Sequence, residues 1–139
     1  MVVVAILGVL VASAAPSFRR SIEQSRADVA VVNLRTFWTA QRVYWLKTRT
    51  FADDWDKLWV MKLIDKPITK EDDDPPHAKH YTKYYTYEIS DVDPNNETFR
   101  ITARRVNNSS WSGEFEIDQT GTIKVTIESG RVIKPGFQD

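Results

Sequence analysis

The sequence predicts an α+β protein in which a long, kinked N-terminal helix packs on an antiparallel sheet of three or four strands. Three observations predict it. Residues 1–18 carry no charge, a helical apolar period follows directly, and the C-terminal half alternates apolar and polar residues. With 139 residues the chain is expected to form one domain.

Met1 to Ala15 reads MVVVAILGVLVASAA, interrupted only by Gly8 and Ser13, and Arg19 is the first charge. As a helix, residues 1–18 extend roughly 27 Å at 1.5 Å per residue, close to the hydrocarbon thickness of about 30 Å. Ala12-Ser13-Ala14 fits the cleavage site of a secretory signal, but no Lys or Arg precedes the apolar run as such a signal requires. A buried core helix needs a polar face for water, and this segment has none. A retained membrane helix is therefore the favoured reading. The positive-inside rule would place Arg19 and Arg20 in the cytoplasm. That rule needs the charges before the span too, and the true N-terminus is expected upstream of Met1.

From Ser17 the pattern becomes amphipathic. Ala27, Ala30, Val31, Leu34, Trp38 and Trp45 recur at helical steps, and Phe37, Val43 and Tyr44 widen the stripe. Between residues 17 and 28 only Phe18 and Ile22 are large and apolar, so these turns are expected to protrude into water or meet a partner. Pro16 removes one helical hydrogen bond, and a kink there is tolerated in a membrane helix. A helix reaching Lys47 is on the order of 70 Å long. A compact domain of this size has a radius of gyration near 14 Å, so the expected shape is a lollipop.

In the head, Thr50 is expected to cap a short helix from about Phe51, with Asp53 and Asp54 in its first turn. Trp55, Leu58, Trp59 and Leu63 would share its packed face, and Pro67 bars continuation. Residues 66–80 are a charged, proline-containing loop. Then Tyr85, Tyr87 and Ile89, Phe99, Ile101 and Ala103, Phe115 and Ile117, and Ile123, Val125 and Ile127 alternate with polar neighbours as half-buried strands. Asp93-Pro94-Asn95-Asn96 and Asp118-Gln119-Thr120-Gly121 supply turns between them.

The apolar run VVVAILGVLVASAAPSF, with Gly8 and Pro16 eight apart, resembles the N-terminal helix of type IV pilins and type II secretion pseudopilins. The order of helix and antiparallel meander is similar to small pilin-like proteins across almost the whole chain. In that family a short basic leader ends in glycine, and the mature chain opens with a methylated phenylalanine and a nearby glutamate. The resemblance places that segment before Met1. It implies a membrane or filament-core helix over 1–18 and a periplasmic or extracellular head over 19–139. Within the head lie the amphipathic half-helix (19–47), a connecting loop (48–80) and the sheet (81–128). The implied role is a structural subunit of a pilus or secretion pseudopilus, anchored in the bacterial inner membrane before helical assembly. The implied partners are further copies, other pilins or pseudopilins, the inner-membrane assembly platform and the bilayer. Gly8 and Pro16 would let the helix bend or unwind as lipid is exchanged for neighbouring helices. The cysteine pair of many pathogen pilins is missing, which points towards pseudopilins or simpler pilins.

Candidate chemistry is sparse. Glu71-Asp72-Asp73-Asp74 crowds four carboxylates, and hard cations prefer oxygen. The family resemblance adds calcium as the one cofactor to consider, at Asp72, Asp73 and Asp74, against a plainer solvated acidic loop. Asp91, Asp93, Asn95 and Glu97 resemble the start of an EF-hand loop, but Asn96 stands where its glycine belongs and Thr102 where its bidentate glutamate belongs. A hairpin turn is the better reading. His77 and His80 flank the acidic loop and with Asp74 form an incomplete zinc set. There is no cysteine, and no P-loop, GxSxG, HExxH or Rossmann glycine pattern occurs. With two histidines in all, acid–base chemistry is thin, and an enzyme is not expected.

The 19 basic and 19 acidic groups cancel, which argues against dedicated nucleic-acid binding. The balance is nevertheless uneven. Residues 17–49 are net +5, residues 50–80 net −3 and residues 81–139 net −2. Arg19, Arg20 and Arg26 are the candidate subunit contacts, either with the acidic head of another copy or within one chain. The alternative from another class is a secreted glycan- or ligand-binding module. Its signal would be cleaved after Ala14, and Trp55, Trp59 and Tyr81 to Tyr87 would form its platform.

Overall fold

A computed structural model describes residues 2–108, 111–130 and 133, without the side chains of residues 14–17. Val2–Thr48 form one helix, α1, of 47 residues. Pro16 lies within it, and its side chain is outside the described residues. The apolar stripe faces the head as its spacing demands. Ala27, Ala30, Val31 and Leu34 are fully buried, and Phe37, Trp38, Tyr44 and Trp45 flank them.

Among the described residues five antiparallel strands follow in a simple meander, β1 (Lys79–Tyr81), β2 (Tyr85–Asp93), β3 (Thr98–Arg105), β4 (Trp111–Asp118) and β5 (Ile123–Gly130), ordered β1-β2-β3-β4-β5. The expected three or four strands over 81–128 are thus corrected to five over 79–130. The extra one, β1, has only three residues and no alternation, and it occupies the end of the charged loop. Both expected turns form. The Asp93 carboxylate accepts from the Asn95 N–H at 2.8 Å, and Gly121 closes the second turn at φ +81°, where a side chain would be strained. On the inner face Tyr85, Tyr87, Ile89, Phe99, Ile101, Ala103, Phe115 and Ile117 are buried against α1. Phe37 of α1 meets Trp55 and Tyr87 edge-on at centroid distances of 4.7 and 5.2 Å.

The short helix starts later than expected. It is α2, Trp55–Val60, and its N-cap is Asp54, which accepts from the Lys57 N–H at 2.8 Å. Thr50 is not the cap. The reason lies in Gln41, a fully buried residue of α1. Its side-chain amide donates to the Ala52 carbonyl and accepts from the Ala52 N–H, both at 2.8 Å. These bonds tie the Ala52 peptide to α1, and the chain is still extended at Asp54 (φ −140°, ψ 164°), so the helical turn begins only at Trp55. Trp55 and Leu58 are buried as expected, but Trp59 is 40% exposed and stands beside Lys66 instead.

Candidate functional site

Two features of α1 stand apart from the core. The first is its uncharged start. Residues 2–13 and 18–21 are all exposed. Near the N-terminus α1 is long and apolar enough to cross a membrane, and none of that stretch is buried against the head. A Cβ added at Gly8 would meet nothing within 4 Å.

The second is the junction with the head, which begins one to two turns earlier than the polar composition of residues 17–28 predicts. Glu23 turns inward. Arg105 of β3 donates to it from Nε and Nη2 at 3.0 and 2.9 Å, and the Trp111 indole N–H donates at 3.0 Å. Arg26 adds a 2.6 Å bond from the same helix and lays its guanidinium over Tyr84, 3.9 Å from the ring centroid. Arg105 also donates to the Tyr84 carbonyl at 3.1 Å and to the Val106 carbonyl. Burial alone would raise the Glu23 carboxyl, but the bonds from Arg105, Trp111 and Arg26 outweigh it and bring its pKa down to about 2.

The three arginines proposed as subunit contacts therefore divide. Arg26 is committed within the chain, whereas Arg19 and Arg20 are exposed and form no ion pair with any described residue. Both line a cavity of about 440 Å³ between the first turns of the junction and Asn107, Asn108 and Trp111 of the head. Among the described residues, the one ion pair joining stem to head uses a stem acid and a head base, opposite in sense to the net charges. Among the described residues, no stem Arg or Lys pairs with a head carboxylate.

The acidic candidates do not converge. Asp73 accepts from the Tyr81 hydroxyl at 2.6 Å, Asp91 pairs with Arg100 at 3.0 Å, and Asp93 is occupied by its own turn. Among the described residues, no three His, Asp or Glu side chains are grouped to hold a metal ion, and Asp72 and Asp74 join no such group. His80 accepts the Ile68 N–H on Nδ1 at 3.0 Å, while His77 Nδ1 lies 2.9 Å from the Thr69 hydroxyl and 3.3 Å from Asp56. Of the aromatic platform, Trp55, Tyr85 and Tyr87 are buried in the core and unavailable to a glycan. Sequence reading missed Glu23, Arg105, Trp111 and Gln41. A charged or amide residue at a half-apolar position was the available signal, but its partner lies 82 positions away for Glu23–Arg105. Comparison with protein-family models, with characterised proteins and with solved structures finds no match.

Proposed function

We propose that this chain is a structural subunit of a type IV pilin-like filament, either a pilus or a type II secretion pseudopilus. The observation that carries the reading is the division of α1 into two halves. One is exposed, uncharged and long enough to cross a membrane, and the other is fastened along its length to a sheet. An isolated apolar helix end is unfavourable in water and must be covered by lipid or by other helices. A helix that serves both covers in turn suits a subunit held singly in the inner membrane and then packed into a filament core. On this reading the head lies in the periplasm or outside the cell, and copies of the chain, related subunits and an assembly platform are its partners.

The test is the state of the protein in its own cells. The proposal expects it in the membrane fraction before assembly and in sheared filaments afterwards, with residues 1–18 retained. A soluble secreted monomer whose N-terminus follows Ala14 would overturn it in favour of a secreted binding module.

A further inference from the structure

We propose that the cavity at the helix–head junction is a binding site for the phosphate group of an anionic phospholipid, held between Arg19 and Arg20 on the helix and Asn107 just after β3. The inference rests on the membrane reading above and adds the lipid class and the residues that select it.

Position comes first. Arg19 and Arg20 are the first charges after 18 uncharged residues. With that stretch in the hydrocarbon, they stand at the level of the headgroups. Long guanidinium side chains at this depth reach lipid phosphates readily, and phosphate geometry matches the guanidinium fork.

Availability comes second. Among the described residues, the only carboxylate lining the cavity is Glu23. Both of its oxygens are already engaged by Arg105, Arg26 and Trp111. Four arginines against this one glutamate leave the lining at net +3. Arg19 and Arg20 form no ion pair with any described residue, so no described carboxylate consumes their charge.

Shape is the third point. The cavity of about 440 Å³ is also lined by Asn107, two residues beyond β3, so a side-chain amide shares it with the arginines. A phosphate there would meet guanidinium and amide donors from both the helix and the head. The headgroup would then fix the tilt of the head against the membrane surface. A free phosphate ion offers the same chemistry, but the site's place at the foot of the apolar span favours the lipid.

The experiment uses the full chain in phosphatidylcholine vesicles with and without phosphatidylglycerol. Flotation reads insertion, and mass spectrometry of gently extracted protein reads the lipid retained. The expected result is insertion into both vesicle types with selective retention of phosphatidylglycerol. R19Q/R20Q should lose that selectivity by roughly thirtyfold, since two basic groups near an anionic surface contribute about 1 kcal/mol each. N107D, which places an acid in the cavity and leaves the arginines alone, should reduce it in the same direction. R35Q, which removes an exposed helix arginine from higher up the stem, should leave it unchanged. Insertion without selectivity, or an equal loss in R35Q, would overturn the lipid site and leave the anchor intact. Displacement of retained lipid by inorganic phosphate at matched concentration would reassign the cavity to soluble phosphate. Failure to insert into either vesicle type would remove the membrane reading and this inference with it.

Discussion

Arg105 and Glu23 form a two-bond ion pair, Nε to Oε2 at 3.0 Å and Nη2 to Oε1 at 2.9 Å, across 82 positions of sequence. With side chains 3% and 12% exposed, it is the most buried charge pair among the described residues. It fixes where the free part of α1 ends and the head begins. Removing one partner strands the other in a low-dielectric site, which costs more than the pair itself contributes.

The pair also sets an acid limit. The Glu23 carboxyl titrates near 2 in the folded chain, against an ordinary value of 4.5. Its stabilising contribution is therefore complete above pH 4.5 and is lost as pH falls towards 2. Urea unfolding in detergent should show E23Q less stable by about 3 kcal/mol near neutrality, the scale of breaking a buried ion pair. The difference between the variant and wild type should shrink across that acid window. A constant difference down to the lowest pH would show that Glu23 is not held as an anion.

Gln41 predicts a purely uncharged effect. Its amide satisfies both polar groups of the Ala52 peptide inside the core. Gln41→Leu preserves volume but leaves that N–H and carbonyl without partners, at a cost of roughly 2–4 kcal/mol. Thermal unfolding followed by tryptophan fluorescence should show a lower midpoint. An unchanged midpoint would mean that water replaces the amide.

His80 predicts the opposite end of the pH scale. Burial pushes its imidazole below the usual value of 6.5, and the Ile68 N–H donating to Nδ1 requires that nitrogen unprotonated. Above 6.5 the ring is neutral in both the folded and unfolded states. As pH falls below that value the unfolded chain takes up the proton first, so stability declines until the lower folded pKa is reached. His80→Gln should flatten this segment of a stability–pH curve while leaving the Glu23-dependent segment in place. Protection of the Ile68 amide in hydrogen exchange should fall over the same range in wild type.

Two glycines should behave in contrary ways. A Cβ at Gly113 would lie 2.6 Å from the Thr126 carbonyl oxygen, so Gly113→Ala must displace backbone at the β4–β5 bulge and should cost about 1–3 kcal/mol. At Gly8 the surroundings are open, and Gly8→Leu should leave head stability unchanged while lowering filament yield. Normal filament yield from Gly8→Leu would remove the proposed need for a bend or local unwinding at that position.

These residues show what the sequence could and could not convey. Periodicity marked α1 and the inward positions of the sheet, because Leu34, Phe99 and Ile117 are buried by a local repeat. The turns at Asp93 and Asp118 were legible because their chemistry acts on the next two residues. The start of α2 was not, because Gln41 of α1 ties down the Ala52 peptide, a contact that no local pattern announces. Strand β1 was hidden by its brevity and its charged neighbours, and the junction by partners joined only when the chain folds. For the candidate site, the sequence exposed the arginines at 19 and 20 but not the wall opposite them.

The meander places its strands in the order in which the chain is made. Helix α1 leaves the ribosome first, and each strand then arrives beside a neighbour already present. A head delivered N-terminus first through a narrow passage can thus zip together one hairpin at a time. No inner edge has to wait for a distant strand, which shortens the period in which unpaired backbone could recruit another chain. The exception is the latch between Glu23 and Arg105. It closes only after three strands have emerged, so the first half of the helix is synthesised long before the head can grip it.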